Sequence, residues 1–295
     1  MGMNLNSGDL YALLTALCWS SAVILFDLSG RRLGAMQINF LKNGIGVVGF
    51  IFTLMVMGHG IPDFSINELG LLIYSGVIGI VVGDLFFLYS LKKIGSGLSA
   101  IVSTSYSPAV FIISYFMYNE IISIKVLFGG FLVIIAIIIG TRKAERLKTE
   151  KTFMVGVFYG LIAQVLTAYS VLLVKPIMLS HSVIEIALIR FGSALLSTVL
   201  ILNAWKGKFF LIQTINQGFK NHYLVAGAFF GTYLSVIFWL AGFKYTLSGR
   251  AAIYNQLSTI FIMIMATVFL GEKMSGKKWI AVILAVFGAL VVSIQ

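Results

Sequence analysis

Residues 96–120 read SGLSAIVSTSYSPAVFIISYFMYNE, and residues 248–272 read SGRAAIYNQLSTIFIMIMATVFLGE. Both stretches open on Ser-Gly, carry Ala-Ile at the same place (Ala100-Ile101 and Ala252-Ile253) and close on a glutamate. The offset of 152 extends upstream, where Gly79 meets Gly231, Phe86 meets Phe238, Leu88 meets Leu240 and Lys92 meets Lys244. Ten of the 42 ungapped positions from 79 to 120 are identical to their mates. Just beyond, Ser123 meets Ser275 and Lys125 meets Lys277. Further upstream the register changes to 148: Gly8 meets Gly156, Tyr11 meets Tyr159, Ile38 meets Ile186, Gly44 meets Gly192, and Lys42 stands opposite Arg190. The four-residue change falls in the loop after the second helix of each half. The chain is an internal duplication, and a missed repeat would misassign the whole fold.

Composition says what is duplicated. The 295 residues are 59% hydrophobic and only 11% charged, against about 25% charged in soluble domains. A soluble enzyme, a disordered chain and a secreted disulfide scaffold are all excluded. The single cysteine, Cys18, permits no internal disulfide. Cutting the chain at its charged residues leaves apolar runs at 10–26, 43–62, 94–119, 126–141, 152–174, 191–205, 221–243, 251–271 and 279–295, and 69–91 is apolar apart from Asp84. A helix crosses the hydrocarbon with ~20 such residues, so ten spans are expected. The first run reads as a transmembrane helix, since no cleavage pattern surrounds it. Barrel strands would alternate over ~10 residues, and these runs do not. The expected fold is an all-α integral membrane protein, with one five-helix repeat in 1–141, a basic loop in 142–152 and a second repeat in 153–295. Five is odd, so the repeats enter the membrane in opposite senses, an arrangement common in secondary transporters.

The duplicated stretch resembles the EamA domain of the drug/metabolite transporter superfamily. In that pattern a small-residue start leads through a mid-helix proline and an apolar run to Gly-Glu. The second copy keeps Gly271-Glu272 but has Ile260 for the proline; the first keeps Pro108 but has Asn119 before Glu120. Trp19 matches the family's first-helix tryptophan, whereas its repeat mate is Thr167. The resemblance spans nearly the whole chain. It implies two EamA domains and transport of a small metabolite, with export of an amino acid or other metabolite among the activities expected of such proteins.

Polar groups inside spans are costly and usually face a cavity or a partner. Asp84 lies mid-span with no cation three or four residues away, which makes it the candidate proton or ion-coupling group. Lys42 and Arg190 are placed in the first turns of the second and seventh helices, where they bind an anionic group, snorkel to the headgroups or pair within the fold. Candidate substrate-binding residues are Trp19, Asn43, Ser103, Tyr106, Tyr169, Tyr233, Trp239, Asn255 and Gln256. Asn255 and Gln256 are the costliest neutral side chains in any span and need partners or water. Gln164 and Asn39 are weaker candidates. Glu120 and Glu272, at the same turn in both halves, are expected to organise that turn, with Ser123 and Ser275 as caps for the next helix.

No P-loop, HExxH motif or nucleophile cluster occurs in the sequence. The expected cofactor and metal content is none. The net charge of +11 sits in short loops, where it orients helices rather than binding nucleic acid. Expected partners are the lipid bilayer, a small-molecule solute, protons or another ion, and a second copy of the chain as a homodimer. With connections assigned alternately to two sides, Lys and Arg divide 16 to 5. The richer side carries the central loop, so the positive-inside rule puts both termini outside; the family resemblance implies the reverse. The expected activity is gradient-driven or exchange transport across the cytoplasmic membrane by alternating access. The alternatives are a lipid translocator and a membrane-embedded interaction or scaffold protein.

Overall fold

Pro108 sets where the fourth helix breaks. It lacks an N–H, and its ring collides with the carbonyl four residues earlier. The helix accordingly runs Ser96–Ser103 and resumes at Tyr106–Tyr118. Between them, the N–H groups of Thr104 and Ser105 donate to the carbonyls of Ile101 and Val102, only three residues back. The second copy, with Ile260 in place of the proline, is continuous over Ser248–Leu270.

The computed structural model describes residues 7–58, 63–119, 124–141, 150–273 and 275–293, and no strand occurs among them. The helices are α1 (Ser7–Gly30), α2 (Ala35–Val56), α3 (Ile66–Ile94), α4 (Ser96–Tyr118), α5 (Ile124–Thr141), α6 (Glu150–Val174), α7 (Val183–Phe219), α8 (His222–Tyr245), α9 (Ser248–Leu270) and α10 (Gly276–Ser293). Seven of them, α1–α4 and α6–α8, are long and apolar enough to cross a membrane; α9 contributes a shorter apolar stretch, Tyr254–Leu270. The chain is a multi-pass membrane protein. Glu120 and Ser123 lie outside the described residues.

Two helices start later in the charge-cut sequence than in space. The run at 43–62 begins after Lys42 and the run at 191–205 after Arg190, yet α2 starts at Ala35 and α7 at Val183. Lys42 and Arg190 are therefore each the eighth residue of their helix, two turns in. The start of α7 is fixed by Ser182 and Glu185: the Ser182 hydroxyl accepts from the Ile184 N–H, and the Glu185 carboxylate accepts from the Ser182 N–H. The same device, Ser65 with Glu68, starts α3. Residues 206–219, expected as part of a polar connection, are helical, and α7 bends at Gly207 (φ 78°, ψ 166°), a conformation essentially confined to glycine.

The halves interlock reciprocally. Gly79 of α3 lies against Ser170 of α6, and its mate Gly231 of α8 lies against Ala22 of α1, the mate of Ser170; at both glycines an added Cβ would come closer than 3.0 Å to that neighbour. Gly8 meets Tyr245 and Thr246, while its mate Gly156 meets Lys93 and Ile94, the mates of those two. The ring pair Tyr11–Phe238 (6.2 Å) recurs as Tyr159–Phe86 (5.2 Å). Each contact occurs twice with the halves exchanged, which is the signature of a two-fold relation. Small residues that let helix backbones approach are the usual means of packing in lipid. The buried apolar residues form two clusters, one around Leu33, Leu91, Leu224 and Ile262, the other around Leu72, Leu172, Met178 and Phe243. Each draws on both halves, so neither half has a core of its own.

Both α3 and α8 contain a π-helical stretch, Gly76–Gly83 and Phe229–Leu234. These positions coincide in the repeat register. Wide turns of this kind are rare and concentrate at functional sites.

Candidate substrate cavity

The two π-helical stretches border a cavity of about 140 Å³ lined by residues of α1–α4 and α6–α9. An apolar cavity of ~150 Å³ accommodates a benzene-sized molecule, so the space suits a small solute. Nine repeat-related pairs line it, among them Trp19 with Thr167, Lys42 with Arg190, Asp84 with Val236, Phe87 with Trp239 and Ser103 with Asn255. The cavity therefore lies on the two-fold relation between the halves.

Asp84 has a partner that local spacing could not show. Lys42 Nζ of α2 lies 2.6 Å from Asp84 Oδ2 of α3, and also donates to Asn43 Oδ1 at 2.9 Å. The Asn43 amide donates to Asn39 Oδ1 (3.2 Å), and the Asn39 amide donates to the carbonyls of Ile80 and Val81 at 3.1 and 3.0 Å. Those carbonyls belong to the π-helical stretch of α3. The polar chain thus ties α2 to the widened turn and fixes the ion pair beside the cavity. Lys42 is 4% exposed and Arg190 0%. Neither side chain reaches the headgroups, so the snorkelling alternative is corrected. Removing the two from the loop tally leaves basic residues divided 15 to 4, with the bias toward the central loop unchanged.

Arg190 is held differently from its mate. One guanidinium nitrogen, Nη2, donates to Ser170 Oγ at 3.1 Å, and the guanidinium carbon lies 5.7 Å from the Trp239 ring centre. Its Nε and Nη1 atoms are buried without a hydrogen-bond partner. The α4–α9 crossing supplies the neutral polar groups. Gln256 Nε2 donates to Ser107 Oγ at 2.9 Å, the Ser107 hydroxyl donates to the Ala252 carbonyl at 3.3 Å, and Gln164 Nε2 donates to Ser103 Oγ at 3.1 Å. Asn255 Oδ1 is buried and accepts no hydrogen bond. Trp19 stacks obliquely on Phe87, with centroids 5.4 Å apart, to form an aromatic wall.

Of the residues singled out from sequence, Trp19, Lys42, Asp84, Ser103, Tyr106, Gln164, Arg190, Trp239, Asn255 and Gln256 line the cavity. Four do not. Asn43 and Asn39 stand behind Lys42 in the polar chain. Tyr169 packs edge-on against Tyr74, with centroids 6.4 Å apart. The Tyr233 hydroxyl bonds to Thr53 Oγ1 at 2.6 Å, and its ring packs on Phe50 and Phe229. Thr15, Thr167, Ser170, Thr232 and Ser235 also line the cavity and were passed over in the sequence. The register held a signal for two of them: Thr167 is the mate of Trp19, and Ser170 is the mate of the residue one turn on.

Glu272 organises more than its own turn. Its carboxylate accepts from Ser96 Oγ (2.8 Å), from the Ser96 N–H (3.1 Å) and from the Gly97 N–H (3.2 Å). It caps the start of α4 in the other half, where a negative charge is favoured. Ser275 does cap α10, accepting from the Lys278 N–H at 3.4 Å. Among the described residues, no three His, Cys, Asp or Glu side chains cluster as metal ligands.

Among the described residues the chain is a helical bundle with polar side chains gathered at a cavity between its apolar helices. The chain belongs to the EamA-like transporter family, whose model matches residues 6–142 and again 154–294. It is 24% identical over 266 residues to an uncharacterized transporter of Archaeoglobus fulgidus, covering 90% of each chain. A solved crystal structure superposes with a TM-score of 0.71 over 98% of this chain and 99% of the other, at 14% identity, a likeness of fold alone.

Proposed function

We propose that the chain is a ten-span secondary transporter that carries a small polar or amphipathic metabolite across the cytoplasmic membrane by alternating access, its two five-helix halves inverted with respect to each other. The observation that carries this reading is the cavity itself, lined by mates from both halves. Contacts between connections support the ten-span count. Glu272 after α9 reaches Ser96 before α4, Asn221 before α8 reaches Ser29 at the end of α1, and Lys92 at the end of α3 reaches the Leu33 carbonyl before α2. All these belong to connections that ten alternating spans put on one face. His181 before α7 pairs with Glu68 of α3 at 3.2 Å, and Lys244 of α8 donates to the His181 carbonyl. These belong to the opposite face.

Inverted repeats move solute by exchanging conformations around a fixed central site. With no P-loop in the sequence, a gradient or a counter-solute supplies the energy. Asp84, 22% exposed at its side chain, is the proposed proton or ion-coupling group.

The test is counterflow in proteoliposomes loaded with a labelled metabolite pool. Saturable exchange of one solute is expected, reduced about tenfold or more by Gln256→Leu, which strips a buried hydrogen bond from the cavity wall. Scrambling of labelled lipid without solute exchange favours the lipid translocator, and neither activity favours a scaffold.

A further inference from the structure

Three charged side chains line the cavity: Lys42, Asp84 and Arg190. Lys42 and Asp84 neutralise each other at 2.6 Å. That leaves one positive charge. Arg190 is completely buried, and no carboxylate is within ion-pair distance of it among the described residues. A guanidinium carries five N–H donors. Ser170 takes one from Nη2, and the three N–H groups on Nε and Nη1 meet nothing. A buried charge with only one hydroxyl and a ring face against it is expensive for a fold to hold.

The rest of the wall says what completes it. Asn255 Oδ1 is a buried acceptor without a donor. Trp239 lies under the guanidinium, and Trp19, Phe87 and Val236 add apolar surface between the hydroxyls of the wall. The unpartnered groups at the wall are thus donors of one positive charge, the Asn255 acceptor, the Tyr106 hydroxyl, which can donate or accept, and an aromatic surface.

Resting on the transporter reading, we propose that the solute is a small organic monoanion, a carboxylate whose oxygens accept from Arg190 and whose apolar or aromatic body lies against the tryptophans. With Asp84 ionised and paired to Lys42, one negative charge balances the cavity; a dianion or a neutral solute does not. A hydroxyl or N–H on the body would serve Asn255. Arginine is suited to this role because its planar donors match a carboxylate. Its mate Lys42 is already committed to Asp84, which explains why the two halves keep different cations at one register position.

The experiment compares benzoate with benzamide, which has nearly the same shape and no charge, as stabilisers of the purified full-length protein against thermal unfolding. Inorganic phosphate at the same ionic strength is the third probe. Benzoate is expected to stabilise at concentrations about tenfold or more below those benzamide needs, and phosphate to have little effect. Arg190→Gln should abolish the preference for benzoate, and Arg190→Lys should retain part of it. If Arg190→Gln does not fold, the benzoate-to-benzamide ratio on the unaltered protein still decides. Absence of a benzoate effect, an equal benzamide effect, phosphate binding as tightly as benzoate, or an undiminished preference in Arg190→Gln overturns the proposal. Solute exchange in proteoliposomes without any charge preference sinks this inference and leaves the transporter standing. Charge-selective binding without flux does the opposite.

Discussion

Gly76→Ala is expected to destabilise the protein more than any other added methyl group in α3. A Cβ at Gly76 would come closer than 3.0 Å to the carbonyl oxygen of Arg190 and to Ser193 Oγ. The serine can rotate away. The carbonyl is part of the α7 backbone and can yield only if the helices part. Forced overpacking typically costs about 1–3 kcal/mol and sometimes more, and a backbone obstacle puts this site at the upper end. The displaced segment carries Arg190 itself, so cavity binding should weaken along with stability. Gly70→Ala is the control: the same helix, with nothing within 4 Å of the added atom. It should be neutral or stabilising by about 0.5–1 kcal/mol, from helix propensity alone. Thermal unfolding of the two purified variants reads the difference, and equal midpoints would show that α3 and α7 are not packed as described.

Lys42→Met should be the second severe change. It leaves the Asp84 carboxylate at the cavity wall with no counter-charge, and also removes a donor from Asn43 Oδ1. Breaking a buried pair from one side typically costs about 3–5 kcal/mol. The partial exposure of Asp84 to the cavity moves the expectation to the lower part of that range. Adding Asp84→Asn to Lys42→Met should recover a substantial part of the loss, because the stranded charge is then gone. Asp84→Asn alone should spare exchange of solute and abolish its concentrative uptake if Asp84 is the coupling group. A double variant no more stable than Lys42→Met would show that the two side chains do not depend on each other, and intact concentrative uptake in Asp84→Asn would remove its coupling role.

The fold was legible because it is written twice. Ten identities at a constant offset, in apolar runs of span length, determine the architecture without any knowledge of packing. Much of the cavity was legible for the same reason: polar residues in lipid-length helices need a cavity or a partner, which singled out Asp84, Asn255 and Gln256. What stayed hidden are relations between helices distant in sequence. The lysine that pairs with Asp84 is 42 residues away on another helix, and spacing along α3 carries no trace of it. Cutting the chain at charges also placed Lys42 and Arg190 at helix starts, when each lies two turns inside. Tyr169 and Tyr233 were chosen for type and depth, and neither property fixes which face of a helix a ring occupies. The reach of Glu272 to Ser96 depends on how the ends of the two halves meet, although the recurring glutamate had already marked the place.

Alternating access requires the halves to separate at one face while closing at the other. The direct test bridges Ser96→Cys and Glu272→Cys with a short reversible thiol crosslinker, in a protein whose one native cysteine, Cys18, is replaced by serine. Those positions join the halves on one face, where Glu272 Oε1 lies 2.8 Å from Ser96 Oγ. Bridged protein in proteoliposomes should lose solute exchange, recover it on reduction, and retain benzoate binding throughout. Exchange that continues at the uncrosslinked rate while the bridge is intact would contradict movement of the halves as the route across the membrane.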